Sequence, residues 1–152
     1  MNTSFCRSER AVSTVEFALV VPLLFLLLVG ILDLARGVSA YVVVSNASRE
    51  GAQYAMLRPT AAPSAIASNV RARSAPLDAT QLTVTASYYD GATFQPWPSA
   101  GIPASSPQPS TIPIRIEVTY PWSAVSFLIG QFIGGATGTT TFTSNSIVDA
   151  RR

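Results

Sequence analysis

One carboxylate and the unbroken apolar run behind it limit what this chain can become. Glu16 is followed by sixteen residues without a charge, Phe17 to Leu32 (FALVVPLLFLLLVGIL), and the next charge is Asp33. At 1.5 Å per residue that run makes about 24 Å of helix. Counted from Val12 it reaches about 31 Å, the hydrocarbon thickness of a bilayer. Glu16 therefore falls inside the membrane or at its first edge, where a carboxylate is costly and marks a functional position.

The rest of the composition fits a membrane-anchored chain. Its 152 residues make one domain, and charged residues are 12% of the total, against roughly 25% in an ordinary soluble domain. The net charge of +2 comes from ten arginines with no lysine, scattered along the chain. Scattering leaves no electrostatic footprint for nucleic acid. With no histidine and only Cys6, metal ligation by His or Cys clusters, His-based triads and an intrachain disulfide are all excluded. Arg7 and Arg10 precede the run, whereas Asp33 and Arg36 beyond it cancel. The positive-inside bias thus puts the N-terminus in the cytoplasm and the rest of the chain outside.

Beyond the membrane the apolar spacing stays helical through Ile31, Leu34, Val38, Tyr41, Val42, Ala52, Ala55 and Met56. Arg58-Pro59 is the stop, because a residue before proline is pushed out of the α region. One helix is predicted from about Val12 to Leu57. Pro22 does not require a break in a membrane, and Val42-Val43-Val44 is the weakest stretch. A second helix is expected within Thr60–Ser74, centred on Ala65–Arg73 and closed by Pro76. The period then becomes two. Leu82, Val84, Ala86 and Tyr88 make a strand, and Asp90-Gly91 a turn. Phe94–Pro113, with six prolines, reads as an extended surface loop. Ile112, Ile114, Ile116, Val118 and Tyr120 make a second strand, and Thr139–Val148 a last one. Val125–Ile133 (VSFLIGQFI) reads as a short core-packing helix, with an exposed contact surface as its alternative. The architecture expected is α+β: a leader over 1–11, a long helix over 12–58 that spans the membrane over about 12–32, and an extracytoplasmic domain with an antiparallel sheet over 59–152.

Two constellations bear on function. Ala11-Val12-Ser13-Thr14-Val15-Glu16-Phe17 has the type IV prepilin pattern: a small residue, four residues, a glutamate, an aromatic and a long apolar helix. Cutting after Ala11 makes Val12 the first residue and Glu16 the fifth. The new α-amino cation and the Glu16 carboxylate then neutralise each other, within one chain or between neighbours, which offsets the cost of lost hydration. The plainer alternative is a glutamate that flanks an anchor. The second constellation is Asn46–Ala55 (NASREGAQYA). Arg49 and Glu50, as neighbours, point to different sides of the helix. Gly51, Ala52 and Ala55 are small enough for another backbone to come close. The plainer alternative is a solvated helical turn.

Arg10-Ala11, Val15–Leu19 and Asn46–Ala55 together resemble the TadE-like family of tight-adherence (Tad, or Flp) pilus systems. Tyr120-Pro121 and the Thr139–Val148 strand are similar to its later elements. Ala11 departs from the glycine usual at the family's processing position. The resemblance implies a pilin-like fold and a pseudopilin or minor-pilin component of a type IVc pilus machine, acting in pilus biogenesis and adhesion, without enzymatic activity or cofactor. It implies a single-pass protein of the bacterial inner membrane, its C-terminal domain periplasmic, that stays there or enters the pilus. The processing site would be Ala11, Val12, Glu16 and Phe17, and Arg49, Glu50 and Gly51 would be partner contacts. The partners implied are the lipid bilayer, a prepilin peptidase, the inner-membrane pilus platform and other pilin-like subunits (TadE-, TadF- or TadG-like).

A rival reading is an exported periplasmic or extracellular binding module released by signal peptidase after Ala40, on the pattern Val38-Ser39-Ala40. The apolar run ends eight residues earlier, at Leu32, which places that cut too far along. The Asn46-Ala47-Ser48 sequon lies within the predicted helix. The Gly130–Gly138 stretch lacks the Lys-Ser/Thr of a phosphate loop. Asp33, Glu50, Asp78, Asp90, Glu117 and Asp149 form no close pair in sequence that would serve acid/base chemistry.

Overall fold

The computed structural model describes residues 5–102, 111–126, 130–131 and 138–151, with side chains from Ala11 onward. Helix α1 runs without interruption from Phe5 to Leu57, 53 residues, with Pro22 inside it. That is about 80 Å of helix. It begins seven residues before the expected Val12, because the residues from Phe5 to Ala11 include no proline or glycine to stop it. Its end is the predicted one: the N–H of Arg58 bonds Tyr54 O at 3.1 Å and Ala55 O at 3.3 Å, and Pro59 follows.

The two halves of α1 live in different surroundings. Every side chain from Ala11 to Leu28 is exposed, with Phe17, Leu19, Leu23 and Phe25 each close to 70% accessible. From Ala40 onward one face is buried, through Val44, Ala47, Ser48, Ala52 and Ala55. Val44 in this face explains why the β-branched triplet stays helical: packing overrides intrinsic preference.

Helix α2, Pro63–Ala72, starts on a proline, whose missing N–H costs nothing in a first turn, and buries Ile66 and Val70 one turn apart. It closes at Arg73, before the expected stop at Pro76. The sheet has four antiparallel strands in the order β2-β1-β3-β4: β1 Thr83–Tyr89, β2 Phe94–Pro96, β3 Thr111–Ser123 and β4 Thr139–Arg151. β3 is central and pairs with β4 from Thr111↔Arg151 to Ser123↔Thr139. Ile112, Ile114, Ile116 and Val118 on its inner face are buried. Each such side chain contributes about 1.5–3 kcal/mol of burial free energy. The α+β plan and the antiparallel sheet are as expected.

The stretch Phe94–Pro113 is not simply a surface loop. Its first three residues form β2, which pairs with Ser87–Tyr89 of β1, and Pro113 lies within β3 opposite Asp149. Trp97 and Ile102 are buried between them. The indole N–H of Trp97 donates to Ala61 O at 2.9 Å, and Ile102 N–H to Pro59 O at 2.8 Å. These bonds strap the segment over the α1–α2 connection. Proline content shows where regular pairing fails, but the pull of a large aromatic into the core decides where the segment goes. Of the expected Val125–Ile133 helix, Val125 is exposed, and Gly130 N–H donates to Ser126 O at 2.9 Å. Residues 127–129 and 132–133 lie outside the described residues.

Gly51 marks the closest approach of α1, α2 and β3. A Cβ placed on it would stand 2.5 Å from Val70 Cγ2 and 3.2 Å from Ile116 Cγ2. Alanine normally gains up to about 1 kcal/mol over glycine in a helix, but overpacking a stiff β-branched neighbour costs about 1–3 kcal/mol. Gly51→Ala is therefore expected to lower the Tm of the detergent-solubilised protein. Adding Val70→Ala should return part of the loss, a non-additivity that thermal unfolding of the three variants measures directly.

Candidate functional site

The head of α1 carries Ala11, Val12, Glu16 and Phe17 in helical register, all exposed. Val12 and Glu16 are four residues apart and share one side of the helix. Among the described residues no other element covers Ala11–Leu28, and Glu16 is exposed. Ala11 lies about 33 Å along the axis from Asp33. The two ends of the apolar run therefore act on different surroundings.

Sequence reading treated Asp33 only as a charge balanced by Arg36. The structure makes it the joint between helix and sheet. Its carboxylate is buried and accepts two backbone N–H groups from the turn after β3: Val125 N–H on Oδ1 at 3.1 Å and Ser126 N–H on Oδ2 at 2.6 Å. Arg36, one turn on, places Nη1 3.3 Å from Oδ1. The guanidinium is mostly exposed, so this pair adds little beside the two backbone bonds. The available signal was a lone acid one residue past a membrane-length run. Its partners, 92 and 93 residues away, carry no mark in sequence.

Above Asp33, α1 meets the sheet through aromatic and small residues. Gly37 leaves room for the Trp122 indole, which a Cβ there would meet at 3.3 Å. Trp122 stacks on Phe142 with centroids 5.7 Å apart, and Phe142 meets Tyr41 edge-on at 6.0 Å. Leu34, Gly37, Val38, Tyr41, Trp122 and Phe142 line an apolar cleft of about 270 Å³. Higher up, the Ser48 hydroxyl donates to Ser45 O at 2.9 Å and lies 3.1 Å from Ser144 Oγ, so Ser144 is the donor between the two.

Arg49, Glu50 and Gly51 are not brought together. Arg49 is exposed. Glu50 reaches Arg73 of α2, Oε2 to Nε at 3.6 Å, across a solvated surface. Gly51 is buried, and the neighbours its size admits are side chains of this chain's own α2 and β3, Val70 and Ile116. The remaining acids are spread out. Asp78 takes the Thr80 hydroxyl at 2.7 Å and the Thr80 N–H at 3.0 Å, and these, with the Gln81 amide, hold its carboxyl below the usual range. Asp90 is held below it by the N–H groups of Thr93 and Ala92 and the Gln95 amide. Both serve as ionised acceptors that shape turns. Glu117 lies in β3 opposite Asn145, and Asp149 lies in β4 opposite Pro113. Among the described residues no three His, Cys, Asp or Glu side chains cluster to hold a metal ion.

With this geometry in view, residues 11–53 match the family model described as TadE-like protein. This segment is TadE-like. The match begins at Ala11 and ends at Gln53, so it takes in the exposed apolar half of α1, Asp33 and most of the small-residue face. No curated protein and no solved structure matches the chain. The helix of the TadE-like segment is long and apolar enough to cross a membrane, as a single span.

Asp33→Asn tests the joint. The amide keeps the size but offers one acceptor oxygen in place of two, and turns an NH₂ toward the other backbone donor. A buried N–H left unpaired costs about 1–3 kcal/mol. The variant is expected to unfold at lower temperature and to show faster amide hydrogen exchange at Val125 and Ser126, while exchange at the Ile114–Val118 ladder stays slow.

Proposed function

We propose that this chain is a pseudopilin or minor-pilin component of a Tad pilus assembly or secretion system. It is held in the bacterial inner membrane by Val12–Leu32, with its N-terminus cytoplasmic and its sheet domain periplasmic. It acts through assembly in pilus biogenesis and adhesion, without catalysis or cofactor. The observation that carries the reading is one helix with two roles. Its first half presents exposed apolar side chains and an exposed Glu16, while its second half is built into a sheet. A helix exposed in this way is satisfied by lipid or by the helices of other pilin-like subunits. A prepilin peptidase would release Val12, the inner-membrane platform would receive the mature subunit, and Arg49, on the free side of α1, is available to a neighbour.

Release by signal peptidase after Ala40 fits the fold less well. Ala40 is buried within continuous α1, and the cut would discard Asp33, Gly37 and their contacts with Val125, Ser126 and Trp122.

N-terminal sequencing of the membrane fraction separates the two readings. A start at Val12 is expected; a start at Tyr41 would overturn the assignment, and a start at Met1 only the processing. The extra methyl of Ala11 over glycine is a discrimination of about 1–3 kcal/mol, enough to slow a peptidase without blocking it. Ala11→Gly should therefore speed cleavage in a pulse-chase.

Glu16→Ala removes a carboxylate from the membrane, so insertion should be unchanged or improved. Co-isolation with partner subunits and piliation should fall, because the α-amino charge of a neighbouring Val12 loses its counter-ion. Wild-type piliation in this variant would exclude the charge pairing.

A further inference from the structure

The strands do not stand clear of the membrane segment. Val125 and Ser126, at the start of the β3–β4 connection, donate to Asp33, the first residue past the apolar run. This end of the sheet is therefore level with the end of the run. Leu34 to Gly37 occupy about the next 3–8 Å of helix axis, the depth of the headgroup layer, and Tyr41 stands about 14 Å up, above it.

The chemistry at that level is apolar and open. Leu27, Ile31, Leu34, Val38 and Tyr41 form one stripe at helical spacing, each more than half accessible, that passes Asp33 without a break because Asp33 faces the sheet. The cleft between Leu34, Val38, Tyr41, Trp122 and Phe142 opens onto this stripe through Leu34, Val38 and Tyr41, has the buried Trp122 as its inner wall, and is lined almost wholly by carbon. Val125, 74% accessible, stands beside Asp33. Elsewhere the open face of β4 is Thr141, Thr143, Asn145 and Asp149, relieved only by Ile147. Tyrosine and tryptophan with an apolar body and a polar tip are the side chains that settle at a membrane–water boundary. Arg36, at the same level and mostly exposed, has the long stem that lets a cation reach the phosphate layer.

We propose that the Asp33 end of the domain is a membrane-seating surface. The lower mouth of the Leu34–Val38–Tyr41–Trp122–Phe142 cleft and Val125 lie in the lipid interface, and glycerol and headgroup atoms of the outer-facing leaflet fill that mouth, with Tyr41 and Phe142 at its upper rim. The occupant is lipid because the cleft is continuous with the exposed apolar surface of Ile31 and Leu32, which a membrane-spanning α1 places in the bilayer. The proposal rests on α1 spanning the membrane. The domain is then held at a set height and rotation on the bilayer, with Asp33 as the pin.

Two tryptophans make the test internal. Trp122 is in the cleft, and Trp97 packs against the α1–α2 connection, beyond Leu57 and so about 38 Å further along the axis than Leu32. In proteoliposomes, the Trp97→Phe protein should lose most of its emission to lipids carrying a nitroxide near the headgroup, and the Trp122→Phe protein should lose almost none. Equal quenching of the two, or none of either, overturns the proposal. A spin label on Val125→Cys in a Cys6→Ser chain gives a second measurement that leaves the packed core intact. Its relaxation by oxygen should exceed that by a water-soluble nickel chelate. The same label on Leu24→Cys reads the span itself. Lipid contact at Leu24 with water contact at Val125 overturns only the seating, whereas water contact at Leu24 overturns the membrane reading as well. Trp122 quenching that vanishes as protein is diluted in lipid means a second copy fills the cleft, and that too overturns the proposal.

Discussion

The packing of the small-residue face of α1 on the β3 ladder is the contact on which the rest of the domain depends. Ala47, Gly51, Ala52 and Ala55 keep the helix thin where Ile112, Ile114, Ile116 and Val118 press against it. Small residues on one side and large branched ones on the other let two regular surfaces interlock without voids. β1 and β4 flank β3 on either side, and α2 fills the remaining corner with Ile66 and Val70. Were α1 bulkier at Gly51, both α2 and β3 would have to withdraw.

A second constraint follows from the length of α1. One continuous helix is both the membrane-length apolar segment and a core element, so the distance between the sheet and the apolar half is set by where on the helix the sheet attaches. The Asp33 carboxylate makes the lowest attachment, the Trp122–Phe142–Tyr41 group the next, and the Ser48–Ser144 pair the one above it. The domain cannot slide along α1 without breaking all three. The two halves divide the labour: the apolar half is left exposed, and the other half is closed off by its own sheet.

The two functional stretches differ in what the fold does with them. At the head of the helix Glu16 keeps its surroundings open and is exposed. In the Asn46–Ala55 stretch much of the pattern is consumed internally, since Gly51 and Ala52 are core residues and Glu50 pairs across to α2. Of the three charged and small residues there, Arg49 alone is left mostly to solvent. A sequence motif can thus mix residues that build the fold with one that stays at the surface.

The sequence by itself determined the membrane-length helix, its stop at Arg58-Pro59, the strands through Leu82–Tyr88, Ile112–Tyr120 and Thr139–Val148, and the TadE-like segment. All of these are written in local signals: uninterrupted apolarity, a residue before proline, and alternation with period two. Only the tertiary structure decided that Asp33 pins the β3–β4 connection, that Trp97 draws a proline-rich segment into the core, that Gly51 is enclosed by Val70 and Ile116, and that the sheet order is β2-β1-β3-β4. The physical reason is common to the four. Each depends on a contact between residues far apart in the chain, where the identity of one partner says little about the other until packing has brought them together.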